Sequence, residues 1–213
     1  MFKIYISSGH SKKDSGAIVN GIKESDINMA IRNEVQKLLP NVIYLNDDMS
    51  LRESIDFVKK DIGKNDVVLD IHTNFNPNSN QRGVEAYYWT DPTTAECFSR
   101  NVAESVGLTN RGYFPDTQTA VGSLGWIRQL PARSVVLECG YLSNPYDRQI
   151  LISANGQRNI ARGIYNACIE LGYPKNVEPA ITNWKNVFDI LKKVMSLDDI
   201  IIWVKKYFGV KYV

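Results

Sequence analysis

Short apolar runs alternate with amphipathic stretches from the first residues onward, and that alternation most narrows the folds open to this chain. Phe2–Ile6, Val42–Leu45 and Val67–Ile71 have strand length and strand composition. Between them, Ile27, Ile31, Val35 and Leu38 recur at helical spacing until Pro40. Leu51, Ile55, Val58 and Ile62 repeat the pattern up to Gly63, which reads as a C-cap. Further strands are expected at Val84–Trp89 and Ser134–Leu137, and helices near Thr93–Val106 and over Tyr146–Leu171. Strands that alternate with helices define an α/β domain. The Gly-, Thr- and Asn-rich stretch Gly107–Gly125 is too long for a simple connection and reads as a substrate-facing loop.

Composition removes several classes of function. With 25 basic and 23 acidic side chains the net charge is +2, which leaves no electrostatic footprint for nucleic acid. No apolar run is long enough to span a bilayer. The N-terminus, MFKIYISSGH, has neither the apolar stretch nor the cleavage site of a signal peptide. The expectation is a protein made and kept in the cytoplasm unless another machine releases it. Cys97, Cys139 and Cys168 form no CxxC pair and cannot all pair within one chain, so they read as small buried apolar residues.

The chain holds only two histidines, and both fall where a strand is expected to give way to a loop. In open α/β sheets that edge binds ligands. His10 follows the first strand, His72 follows the third, and Glu24 stands just before the first long helix. Two imidazoles and a carboxylate are the protein ligands of one kind of catalytic zinc site, which leaves a fourth position for water. Each residue has a plainer reading alone: a solvated histidine, or an acid favoured by the helix dipole. Their joint placement at one sheet edge favours the metal. Glu138 ends the apolar run SVVLE, where a carboxylate is costly unless it is paired or used. Beside an activated water it could serve as general base and then general acid; otherwise it is a strand-end charge reaching solvent.

Taken together, GHSKKDSGA (residues 9–17), Glu24, DIHTNF (70–75) and ECGYLSN (138–144) resemble the type 3 N-acetylmuramoyl-L-alanine amidases, with RGVEAYYW (82–89) and LPARSVVLE in support. The resemblance covers roughly residues 1–172. It implies a mixed, mostly parallel central sheet flanked by helices (phosphorylase/hydrolase-like) and one zinc ion. It also implies cleavage between the lactyl group of N-acetylmuramic acid and L-alanine of peptidoglycan. Position by position, His10, Glu24 and His72 match the zinc ligands and Glu138 the catalytic glutamate. Where the family usually has glycines after the first histidine, this chain has Ser11 and Lys12, which bears on the shape of that loop. Asp14 and Asp70 either orient a ligand histidine or serve local turns. Asn74 and Arg82 either line the groove or are solvated. Trp89 reads as core, and Trp126 as core or a sugar-stacking platform.

Residues 173–183 contain two prolines and little periodicity and read as a linker. In 184–213, Trp184, Val187, Phe188, Leu191, Val194 and Met195 stripe one helix, and Ser196 opens a second. This small helical pair carries six lysines against three aspartates. It could grip wall polymer, form a homodimer, cover the main domain or lie on a membrane surface. A wall substrate and no secretion signal suit a phage endolysin (cytolysis) or a sporulation or mother-cell-lysis autolysin, acting on the cell wall after release. The competing functions are a zinc exopeptidase on ordinary peptides and a non-catalytic wall-binding module.

Overall fold

The computed structural model describes residues 2–10 and 13–175; the helical pair expected over 184–213 and most of the linker lie outside the described residues. The chain divides into two compact units, Met1–Pro174 and Lys175–Val213, and the first carries the fold. Among the described residues eight strands occur in chain order: β1 (Ile4–Ser8), β2 (Ile18–Val19), β3 (Ile22–Lys23), β4 (Ile43–Tyr44), β5 (Val67–Asn74), β6 (Val84–Tyr88), β7 (Asn110–Pro115) and β8 (Arg133–Tyr141). The helices are α1 (Glu24–Leu38), α2 (Leu51–Lys59), α3 (Pro92–Val106), α4 (Gly125–Arg128), α5 (Pro145–Ile152) and α6 (Ala154–Glu170). Six strands form one sheet in the order β4-β1-β5-β8-β6-β7. Its pairings are parallel except β6 with β8, so the sheet is mixed and mostly parallel, as expected.

Successive strand residues face opposite sides of the sheet, and the two sides meet different layers. Ile4 and Ile6 of β1, Val67, Leu69 and Ile71 of β5, and Val135 and Leu137 of β8 pack in one cluster with Ile31 of α1, Phe98 of α3 and Ile164 of α6. Their neighbours Tyr5, Val68 and Val136 face the other way, onto Ile55 and Val58 of α2 and Trp126 and Ile127 of α4. The second layer is built from a nine-residue helix and a four-residue one. Toward the carboxyl ends of the strands, the positions on that face stop being apolar: Ser7, Asp70, His72 and Glu138 succeed Tyr5, Val68 and Val136.

Several local expectations are corrected. The helix expected over Tyr146–Leu171 is two, because Ser153 leaves helical geometry (φ −83°, ψ 138°) and its hydroxyl accepts the Gly156 N–H, capping α6. Gly63 does not cap α2; that helix ends at Lys59, and the Gly63 N–H donates to Asp66 Oδ2 instead. Much of the expected loop Gly107–Gly125 is ordered as edge strand β7, a turn of 3-10 helix at Asp116–Gln118 and the start of α4. Buried Asp116 organises the turn by accepting from the Leu124 N–H and from Arg128. Cys97, Cys139 and Cys168 are buried and free, as read from their spacing. Among the described residues no helix is long and apolar enough to cross a membrane.

Candidate metal centre

His10, Glu24 and His72 come from three places in the sequence and are brought together by two local devices. Between His10 and Glu24 the chain doubles back through the β2–β3 hairpin, whose turn, Asn20-Gly21, takes the positive φ values (52° and 77°) that a two-residue hairpin needs. The hairpin returns the chain so that the Glu24 N–H donates to Ala17 O, just past the loop that carries His10. Sequence periodicity had not separated this hairpin from the flanking loop, although its Asn-Gly dipeptide was a readable signal. The second device is the strand pairing. The Gly9 N–H donates to Ile71 O at 2.7 Å and the Asn28 amide donates to Gly9 O at 3.1 Å, fixing the backbone from which His10 (φ 67°) projects. His72 does not follow its strand, as the sequence reading had it. β5 continues through Asn74, because Asn74 still pairs with Tyr141 of β8 after a register shift. Ser11 and Lys12 lie outside the described residues.

The Glu24 carboxylate lies between the two imidazoles. Its Oε2 is 3.1 Å from His10 Nε2 and its Oε1 is 3.0 Å from His72 Nδ1. The Ala17 N–H donates to Oε2 at 3.0 Å and the Thr73 N–H to Oε1 at 3.2 Å, so buried Glu24 is held from two segments of backbone. The ring centroids are 5.0 Å apart. One ligand atom from each of the three residues can be chosen so that all lie within 4.8 Å of one another. Space around them is tight. A Cβ on Gly9 would stand 2.2 Å from His72 Nε2, and one on Gly16 would stand 2.5 Å from Glu24 Oε2.

Electrostatics follow from this packing. Burial works to raise the Glu24 pKa, but the hydrogen bonds to His10 and His72 outweigh it and hold the carboxyl well below the usual range. Burial pulls both histidines down. For His10 the bonds to Glu24 and Asp14 win, and for His72 the charge and hydrogen bond of Asp70 together with Glu24, so both sit above the ordinary value. A strongly ionised carboxylate between two nitrogen donors is a centre ready to exchange protons for a cation.

Glu138 stands beside His72 in register on β8, and Glu85 of β6 stands on its other side. Glu138 Oε2 is buried with no hydrogen-bond partner among the described residues. Burial first, then the negative charges of Glu24, Glu85 and Asp70, push its pKa up to about 8 against the opposing effect of His72. An orphaned buried carboxylate oxygen is expensive unless something reactive is meant to meet it. A cavity of about 880 Å³ opens in front of it, lined among others by His10, His72, Asn74, Tyr87 and Glu138.

Glu85 is a site residue that the sequence reading missed. It is 2% exposed and accepts from Asn74 Nδ2, the Tyr87 and Tyr141 hydroxyls and Arg111 Nε, tying β5, β6, β7 and β8 together next to Glu138. Its signal was an acid inside the run VEAYY, the same signal that pointed to Glu138. Of the tryptophans, Trp126 takes the core alternative and Trp89, read as core, does not. Trp126 is 2% exposed in the α2/α4 core, so its ring offers no platform to a sugar. Trp89 is 45% exposed, with the Arg128 guanidinium 4.0 Å above its ring. Asn74 lines the cavity, whereas Arg82 packs over Tyr146, 4.4 Å from the ring centre.

The model of the N-acetylmuramoyl-L-alanine amidase family matches residues 4–170. The chain is 31% identical over 179 residues to N-acetylmuramoyl-L-alanine amidase LytC of Bacillus subtilis, an alignment covering 78% of this chain and 34% of that one. It therefore spans about a third of the length of LytC. It is 34% identical over 90 residues to the endolysin of Bacillus phage SPP1, covering 39% of this chain and 32% of that protein. Among solved structures, the catalytic domain of CwlV, an N-acetylmuramoyl-L-alanine amidase from Bacillus (Paenibacillus) polymyxa var. colistinus, superposes with a TM-score of 0.71 at 27% identity, covering 80% of this chain and 97% of that one. A family match across the whole sheet, over a fold shared with CwlV, leaves one assignment: the chain belongs to the N-acetylmuramoyl-L-alanine amidase family.

Proposed function

We propose that this chain hydrolyses the amide bond between N-acetylmuramic acid and the L-alanine of the peptidoglycan stem peptide. In this reading zinc is held by His10, Glu24 and His72, with Glu138 as the catalytic acid–base. The observation that carries the reading is the convergence of two imidazoles and one carboxylate, next to a buried Glu138 oxygen that no group among the described residues satisfies. Two nitrogen donors and one oxygen donor suit zinc by ligand type, and three protein ligands leave a position open. When bound, zinc would supply Lewis acidity toward the scissile carbonyl and toward water.

The residues of this chain do the rest. His10 and His72 must be neutral to ligate, so the protons that Glu24 helps them keep in the metal-free protein leave on loading. Glu138 Oε2 accepts the proton of the attacking water and delivers it to the alanine nitrogen as the C–N bond breaks. The hydrogen-bonded Glu85 cluster keeps the neighbouring strands from sliding, so Glu138 keeps its alignment with His72.

The test is digestion of purified peptidoglycan by the full chain, with and without a chelator. New N-terminal L-alanine that vanishes on chelation and returns with zinc is the expected result. New reducing sugar ends, or cleavage of plain peptides with none of the wall, would overturn the bond assignment; the latter outcome belongs to a zinc exopeptidase. Binding without cleavage belongs to a wall-binding module. Similarity to the SPP1 endolysin supports a lytic setting, and lysis on co-expression with a pore-forming protein would test it against a mother-cell-lysis role. Wall binding or homodimer formation through residues 184–213 is tested by sedimentation of the full chain with and without wall fragments.

A further inference from the structure

Each of the two histidines turns one ring nitrogen toward Glu24 and the other onto an aspartate, and the two aspartates are not equivalent. His10 presents Nε2 to Glu24 and Nδ1 to Asp14 Oδ2 at 2.9 Å. His72 presents Nδ1 to Glu24 and Nε2 to Asp70 Oδ2 at 3.1 Å. The Asp14 side chain is 68% exposed and belongs to a loop, whereas that of Asp70 is 9% exposed in the interior of β5. The second oxygen of Asp70 accepts from the Ser7 hydroxyl, and Ser7 is its register partner on neighbouring β1. No lysine or arginine among the described residues pairs with Asp70. A buried carboxylate with no lysine or arginine beside it is costly, and its remaining contact is the far nitrogen of a candidate ligand.

We propose that Asp70, held in place by Ser7, is the positioning residue of the metal centre: it takes the Nε2 proton of His72 in a hydrogen bond and so presents the Nδ1 lone pair to the cation. A ligand histidine has two tautomers, and the partner of the nitrogen that does not ligate decides which is populated and how the ring is aimed. The strand backbone fixes Asp70 on both sides, since β1 and β5 are inner strands of the sheet, and its burial removes the solvent screening that weakens Asp14. Asp14 does the same for His10 from a solvent-exposed position, and contributes less. The support is therefore lopsided, strong at His72 and weak at His10. This inference rests on the zinc reading above.

The experiment is zinc affinity of the full chain, read by competition with a chromogenic chelator, for wild type, Asp70→Ala, Asp70→Asn, Ser7→Ala and Asp14→Ala. Melting of each metal-free variant is followed by circular dichroism. Asp70→Ala should weaken zinc by about 10- to 100-fold. Asp70→Asn keeps an acceptor oxygen at the same place and should recover part of that loss; Ser7→Ala and Asp14→Ala should each lose less than Asp70→Ala. Wild-type affinity in Asp70→Ala overturns the proposal, and so does complete loss of binding, which would make Asp70 a ligand. If Asp70→Ala does not fold, unchanged affinity in both Asp70→Asn and Ser7→Ala overturns it. Absence of zinc binding by the wild type would instead sink the metal reading on which the proposal stands.

Discussion

Replacing Gly9 by alanine separates what the fold tolerates from what the site tolerates. The added methyl would stand 2.2, 2.3 and 2.4 Å from Nε2, Cε1 and Cδ2 of His72. Ordinary carbon contacts begin near ~3.5 Å, so the ring must retreat by roughly 1.3 Å or the backbone must give. The backbone is tied by the Gly9 N–H to Ile71 O and by Asn28 to Gly9 O, whereas the ring ends a side chain beside a cavity and is held by its contacts to Glu24 and Asp70. The ring moves. Stability should therefore fall by only about 1–2 kcal/mol, at the low end of overpacking costs. Metal binding should suffer far more, because the shift breaks the 3.0 Å approach of His72 Nδ1 to Glu24 and the 3.1 Å contact to Asp70 together. A displacement of about 1 Å in a catalytic group typically costs on the order of 100-fold in rate. Gly9→Ala should thus melt cooperatively within several degrees of wild type while its zinc affinity and wall-cleaving rate each fall by at least about tenfold. The assays are calorimetric melting of the metal-free protein, chelator competition and release of L-alanine amino ends. A variant that binds zinc and cuts wall at wild-type levels would refute the argument that Gly9 is present to admit the His72 ring.

Glu138→Gln should leave zinc affinity close to wild type and slow turnover at least about 100-fold; a full rate would give Glu138 the wrong role. His10→Ala and His72→Ala should lose metal and activity together, as read by metal content after dialysis. In the metal-free protein both histidines have raised pKa values, so the stability they contribute is fully present below about pH 6.5 and is lost as pH rises through their folded values. Zinc requires the neutral rings, so its stabilisation should grow over the same window; a gap in Tm between loaded and metal-free protein that stays flat from about pH 6 to 8.5 would contradict this. Glu85→Ala strips the acceptor from Asn74, Tyr87, Tyr141 and Arg111. Because Arg111 is partly exposed, the loss is set at about 2–4 kcal/mol by urea unfolding, and an effect under about 1 kcal/mol would mean the cluster holds nothing.

The sequence by itself determined most of the main strands and helices, the mixed α/β class expected from the resemblance and the identity of the candidate ligands. Apolar periodicity is local, and two histidines toward the carboxyl edge of one sheet leave few alternatives. It also marked Glu138 by the cost of a carboxylate closing the run SVVLE. What periodicity could not decide is which layer covers each face of the sheet and where that cover stops. The alternation Tyr5–Ser7, Val68–Asp70–His72 and Val136–Glu138 is one face in each strand. Whether its polar members face solvent or a built site depends on α2 and α4 covering one end of that face and leaving the other open. The same ambiguity hid Glu85, since an acid at an alternate position of a strand reads equally as solvated or as a buried hub until its four donors arrive from elsewhere in the chain. It also misplaced Trp89 and left Trp126 open: Trp126 is buried because α4 folds onto Val68 and Val136, and Trp89 is exposed because β6 ends before it. Local pattern assigned each residue a face, and only the long-range packing of helices on the sheet decided which of those faces became core and which became the site.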